Sequence, residues 1–344
     1  AEESEYNLTK RLTTDCLSFI EKNVAQDKPF FATINLQDPH PYFTAPKPYD
    51  TLFSPEQFEL PKNFRHYANR KEPRRLSNWR VHSDSLDATE LDIKKAMAMY
   101  CGQIRYVDDQ VGRVIDKLEE LEQLDNTVII FWSDHGEFLG DFGVTHKGLM
   151  FYDCLTRIPV IIYDPSKKLD TGTNEHLLES VDIMPTLLSI LGMDVPNYCR
   201  GQSLLSDTYT ERESVFAEGG IYATQPKTPI SGLSIKAPHD PTQWGPGSML
   251  RTKDYKLVIY ADDIGELYDL NFDPDETTNL YDNVSYSEVK HELTLDLLKR
   301  QQCQGQPAEF LPKTAEAIFD RNPKSYPGDF KDHKNLQRLK ALSK

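Results

Sequence analysis

The sequence predicts an α/β fold in two parts: a mainly parallel sheet flanked by helices, and a smaller C-terminal antiparallel sheet closed by a helix. Three observations carry the prediction. A long helical stripe over residues 90–122 lies between two short apolar runs, 29–37 and 127–133, the pattern of a strand–helix–strand crossover. A further apolar run follows at 158–165. Beyond about residue 210 the texture changes to short alternating strands separated by turns. The division is therefore placed between an α/β portion, residues 1–210, and a C-terminal subdomain, residues 211–344.

Residues 6–25 carry apolar groups at helical spacing and predict a surface helix. "PFFATINLQ" (29–37) reads as a strand that runs into the proline-rich loop "DPHPYFTAPKPY". Residues 61–90 are polar and irregular, and the basic cluster "NRKEPRRL" reads as a solvated loop. In the long helix, Leu91, Ile93, Met97, Ile104, Val107, Val111, Val114 and Leu118 supply a broad apolar stripe. "NTVIIFW" and "IPVIIYDP" are β-branched and aromatic, as buried strands are. "VDIMPTLLSILGM" (181–193) is a helix with Gly192 near its end. "SVFAEGG", "GSMLRTKDYKLVIY" and "GELYDLNF" form the C-terminal strands, and 286–302 forms an amphipathic closing helix.

Composition narrows the function. With 39 Lys plus Arg against 54 Asp plus Glu, the formal charge is −15, which argues against nucleic acid as a partner. No stretch has the length and apolarity of a membrane helix. The five cysteines are spread without a CxxC pair and read as free thiols. A hydrophobic content of 38% supports a packed core.

The chemistry concentrates in "FWSDHGEFLGDFGVTHKG", residues 131–148. Asp134 and His135 end a strand where the chain turns at Gly136. A carboxylate oxygen and an imidazole nitrogen converging there suit a divalent cation. Lys147, beside His146, can offset the charge of a bound oxyanion. His40 also follows a strand end, stiffened by Pro39 and Pro41, where it can act as an anion donor or general acid. Glu137 and Asp141 read as loop-shaping groups. Compartment is left open by these features.

These blocks, in this order and spacing, resemble the sulfatase family of the alkaline phosphatase superfamily over residues 5–300 or so. "PFFATINLQDPHPYFTAPKPY" is similar to the segment carrying a substrate-facing histidine. "MYCGQIRYVDDQVGRVIDKLEELEQLDNTVIIFWSDHGEFLGDFG" resembles the helix, strand and metal-binding turn. "HKGLMFYDCLTRIPVIIYDP" resembles the lysine-bearing segment. The resemblance implies Asp134 and His135 as metal ligands, Lys147 and His40 as catalytic and sulfate-binding groups, and His146 as a pocket residue. It implies a metal-dependent sulfuric ester hydrolase acting on a sulfated small molecule or carbohydrate, with Ca²⁺ as cofactor. The nitrogen of His135 leaves Mn²⁺ or Zn²⁺ open. Two alternatives are a phosphonate monoester or phosphodiester hydrolase or phosphoethanolamine-type transferase, and a non-catalytic anion- or partner-binding chain.

The family's C-x-P-x-R or C-x-A-x-R motif, whose cysteine becomes formylglycine, is absent from the sequence. The nearest lookalike, "CGQIR" at 101–105, has Gln103 where Pro or Ala belongs and lies inside the predicted long helix. The expectation is a sulfatase-like chain without its N-terminal portion, inactive alone, and either a fragment of a longer precursor, a processed chain that pairs with another, or a degenerate homologue.

Overall fold

The computed structural model describes residues 7–303, apart from 27, 66–71, 197, 208, 221–244 and 262. Helix α1 (Leu8–Val24) starts where Asn7 accepts the Lys10 amide. Helix α3 (Glu90–Glu120) starts at a reciprocal cap in which Thr89 accepts the Asp92 amide and Asp92 accepts the Thr89 amide. Its buried face is built from Ile93, Met97, Tyr106, Val107 and Leu118, whereas Leu91 and Ile104 of the expected stripe are exposed. The Tyr106 hydroxyl donates to Asn7 Oδ1 at 2.8 Å, tying α3 to the start of α1.

The α/β class and the C-terminal antiparallel sheet are as expected, but the parallel pairing is not. Strands β1 (Ile129–Trp132) and β2 (Val160–Tyr163) pair antiparallel, with Ile129 opposite Tyr163 and Trp132 opposite Val160. Residues 30–37 join no ladder among the described residues. An apolar run announces a strand but not the direction of its partner. These strands also stay partly open to solvent: Ile161 is 62% exposed and Phe31 73%.

The C-terminal sheet runs β3 (Ser214–Gly219), β4 (Gly247–Thr252), β5 (Tyr255–Tyr260) and β6 (Glu266–Asp269), each antiparallel to the next. Its Tyr268 joins Phe138, Phe142, Val144, Met150, Tyr152 and Leu155 in one buried cluster. Accordingly, the described parts of Ala1–Leu177 and Glu213–Thr294 make one compact unit. The second unit, from Leu178–Arg212 and the chain from Leu295, contains helix α4 (Ile183–Ile190). There Arg212 is buried against Asp182 and Glu179. Helix α5 (Ser287–Cys303) closes the described chain, and the tail beyond 303 lies outside the described residues.

The expected solvated loop around the basic cluster is instead a helix, α2 (Arg74–His82). Arg75 and Arg80 are buried in it. Arg75 donates to the Leu149 and Gly245 carbonyls and lies over the Tyr260 ring. Arg80 donates to Phe142 O and Glu72. Buried guanidinium groups persist because their fixed donor fork finds several acceptors at once.

Candidate active site

The loop bearing His40 is braced by α3. Asp38 accepts from Gln103 of α3 at 3.1 Å and from Thr9 of α1 at 2.5 Å. Tyr49 donates to Asp109 at 2.7 Å, and a Cβ on Gly102 would collide with the Tyr49 carbonyl oxygen. Within "CGQIR", then, Gly102 permits close approach and Gln103 holds the loop base. Cys101 lies mid-helix, with its thiol pushed up by burial. It has neither the exposure nor the low pKa of a nucleophile.

Past β1, residues 136–147 fold into a compact loop on their own aromatic core. Phe138 N donates to His146 O and Gly140 N to Val144 O. Phe138, Phe142 and Tyr152 pack ring on ring, and Asn63 donates to Asp141 at 2.9 Å. His146 is held at φ 67°, in the left-handed region where a residue with a Cβ is strained.

This loop brings the sequence-selected residues together. The Phe43 ring lies 5.5 Å from the His146 ring and 5.7 Å from Tyr100 of α3, joining the His40 loop to the His146–Lys147 segment. Burial holds the His146 imidazole below the ordinary range, and the charges of Lys147, His40 and His82 add to it. Its Nδ1 is buried without a hydrogen-bond partner among the described residues. Burial likewise lowers Lys147, while Glu137 and Asp134 oppose that shift. His82, on α2, carried no signal in the sequence, because it lay in a stretch read as irregular loop.

The His135 ring Nδ1 is 2.8 Å from Gly136 O, a carbonyl that only accepts, so this nitrogen carries the proton. In the neutral ring Nε2 is then a bare acceptor, 3.7 Å from Asp134 Oδ2. Asp134 Oδ1 accepts the His135 amide at 2.9 Å. Two acceptors aimed together fit one side of a cation. A full calcium shell needs about six to eight oxygens. No group of three or more metal-ligating side chains occurs among the described residues. The chain therefore fits such an ion only in part.

Glu137 was read as a loop-shaping group, and its carboxylate does accept the Leu139 amide at 3.3 Å. Burial raises it to about 7, against the pull of backbone amides and Lys147. The folded state thus keeps a proton that the unfolded chain, near 4.5, releases. Stability contributed by this group is present below that lower value and lost as pH rises toward about 7. Glu137→Gln should consequently lose less stability than the parent between about pH 5 and pH 8, by up to ~3 kcal/mol. Urea unfolding at the two pH values measures this; parallel losses in the two proteins would contradict it.

Residues 2–193 match the family model Sulfatase, and residues 237–303 match N-sulphoglucosamine sulphohydrolase, C-terminal. The chain belongs to the sulfatase family. It is 32% identical over 285 residues to the multifunctional alkaline phosphatase superfamily protein PehA of Trinickia caryophylli, covering 76% of this chain and 53% of that protein. It is 28% identical over 289 residues to an arylsulfatase of Clostridium perfringens, covering 83% and 56%. Among solved structures, a phosphonate monoester hydrolase from Silicibacter pomeroyi superposes with a TM-score of 0.73 at 27% identity, covering 86% of this chain and 60% of that one. This sulfatase-family chain spans about half the length of the curated relatives it matches.

Proposed function

We propose that this chain forms the C-terminal part of a metal-dependent sulfuric ester hydrolase acting on a sulfated small molecule or carbohydrate. The observation that carries the reading is the packing of Phe43, from the His40 loop, against the His146 ring, with Lys147 next in the chain and under the influence of Asp134 and Glu137. Membership of the sulfatase family supports it. A bound Ca²⁺, or Mn²⁺ or Zn²⁺ given the His135 nitrogen, would supply positive charge beside a sulfate oxygen.

The roles of the chain's own groups follow from sulfate ester chemistry. The bond from sulfur to the ester oxygen breaks, and negative charge builds on that oxygen and on the equatorial oxygens. Lys147 offsets the equatorial charge through its ammonium. His40 delivers a proton to the departing alcohol oxygen. His146, with an Nδ1 unpartnered among the described residues and a ring braced by Phe43, lines the anion pocket. The attacking group, a formylglycine in the family the sequence resembles, has no motif here and comes from outside this chain. Further strands would also cover the exposed apolar groups of β1, β2 and Phe31.

A second reading keeps the site and changes the ester to a phosphonate monoester, favoured by the Silicibacter neighbour. Mass spectrometry of the native protein, followed by assays with an aryl sulfate and an aryl phosphonate, separates the readings. The first expects a formylglycine-bearing segment, faster sulfate turnover, and no activity from the 344-residue chain alone. Robust turnover by that chain alone, or preference for the phosphonate, would overturn it.

A further inference from the structure

Lys256 on β5 is 0% exposed, inside a sheet that would hold an apolar residue at less cost. Its ammonium meets three oxygens: it donates to Asp153 Oδ1 at 2.5 Å and Phe151 O at 3.0 Å, and forms an ion pair with Glu276 Oε1 at 2.6 Å. Arg251 on β4 grips Asp153 with Nε at 3.2 Å and Nη2 at 3.1 Å. Glu276 Oε2 accepts the Asp153 amide at 2.6 Å. Every one of these bonds except the Lys256–Glu276 pair ends on residues 151–153.

The next two residues reach the site. Leu155 O accepts Gly136 N at 2.8 Å, and Cys154 O accepts Glu137 N at 3.0 Å. The approach is so close that a Cβ on Gly136 would collide with Cys154 O. Gly136 O in turn receives the His135 ring. A continuous chain of bonds therefore runs from the C-terminal sheet to the turn that presents Asp134 and His135.

We propose that Lys256, with Asp153 and Glu276, is a positioning group that fixes the register of residues 151–155 and through them the Asp134–His135 turn. This deepens the hydrolase reading and rests on it for the meaning of the turn. The geometric claim stands apart, because its test uses no activity.

Lys256→Met is compared with the parent chain by amide hydrogen exchange and by the ring resonances of His135 and His40. Exchange at Gly136 and Glu137 should quicken by about tenfold or more, with α3 amides unchanged. The His135 ring signals should shift while those of His40 stay. Gly136→Ala, which breaks the same bridge at its other end, should shift His135 in the same direction. Glu276→Gln keeps shape and one acceptor, and decides the question should Lys256→Met not fold. In a folded variant, unchanged exchange at Gly136 and Glu137, or acceleration spread equally over α3, would overturn the proposal. An inactive native protein would overturn the hydrolase reading and leave this result intact.

Discussion

Lys147→Ala in the complete enzyme lowers kcat for an aryl sulfate by about 10²–10³-fold, the cost of removing one preorganised charge partner from a developing oxyanion. The residue is half-buried, and burial alone works against its ammonium. Glu137 and Asp134 oppose that shift without cancelling it, so a bound anion would complete the charge compensation of the ammonium. Arginine should not replace it, because a planar fork cannot occupy the place of a compact ammonium. His40→Ala behaves differently. Its proposed proton matters only where the departing alcohol is a poor leaving group, so an alkyl sulfate should lose more rate than a nitrophenyl sulfate, by about 10²-fold or more. Equal losses on both esters would remove His40 from the acid role, and a Lys147→Ala enzyme with normal kcat would remove Lys147 from the charge role.

The residues of this cluster were readable in the sequence because each stands at a break in an apolar pattern. Asp134 and His135 end the run "NTVIIFW", and His40 sits between two prolines. Long helical periodicity made α3 legible almost to its ends, since 31 residues average out any single misplaced side chain. Strand pairing was not legible. β1 and β2 are four residues each, and nothing in "IIFW" or "VIIY" records that they run antiparallel. Likewise 29–37 has strand composition, but a strand exists only with a partner. The texture change near residue 210 marks a new sheet correctly, yet Tyr268 shares a core with Phe138, a contact between residues far apart in the chain. Trp79 donates to Thr145 O and buried Arg80 to Phe142 O, so both pack against the site loop. The Lys256 clamp was invisible for a physical reason. Charge in a sequence reads as surface, and only a folded acceptor set reveals a buried cation.

Arg75 is the clearest case of that error, and it sets a second large effect. Arg75→Met should destabilise the chain by about 3–5 kcal/mol, the range for breaking a buried charged pair by removing one partner. Arg75 is 0% exposed and faces Asp263, itself nearly buried, at 3.7 Å. Asp263 would keep the Arg74, Arg75 and Ile264 amides, at 3.2, 3.0 and 2.8 Å, which places the loss toward the lower end. Against this, the Leu149 and Gly245 carbonyls would each lose a donor, and the Tyr260 ring its guanidinium. Methionine fills the volume, so the cost is electrostatic and not a cavity. Urea unfolding should show a lower midpoint with an unchanged slope. Lys299→Met, which removes an exposed pair with Asp296, should move the midpoint little. Were the two variants equally stable, Arg75 would belong to the solvated surface that its sequence neighbourhood advertises, and Leu149, two residues beyond Lys147, would have some other anchor.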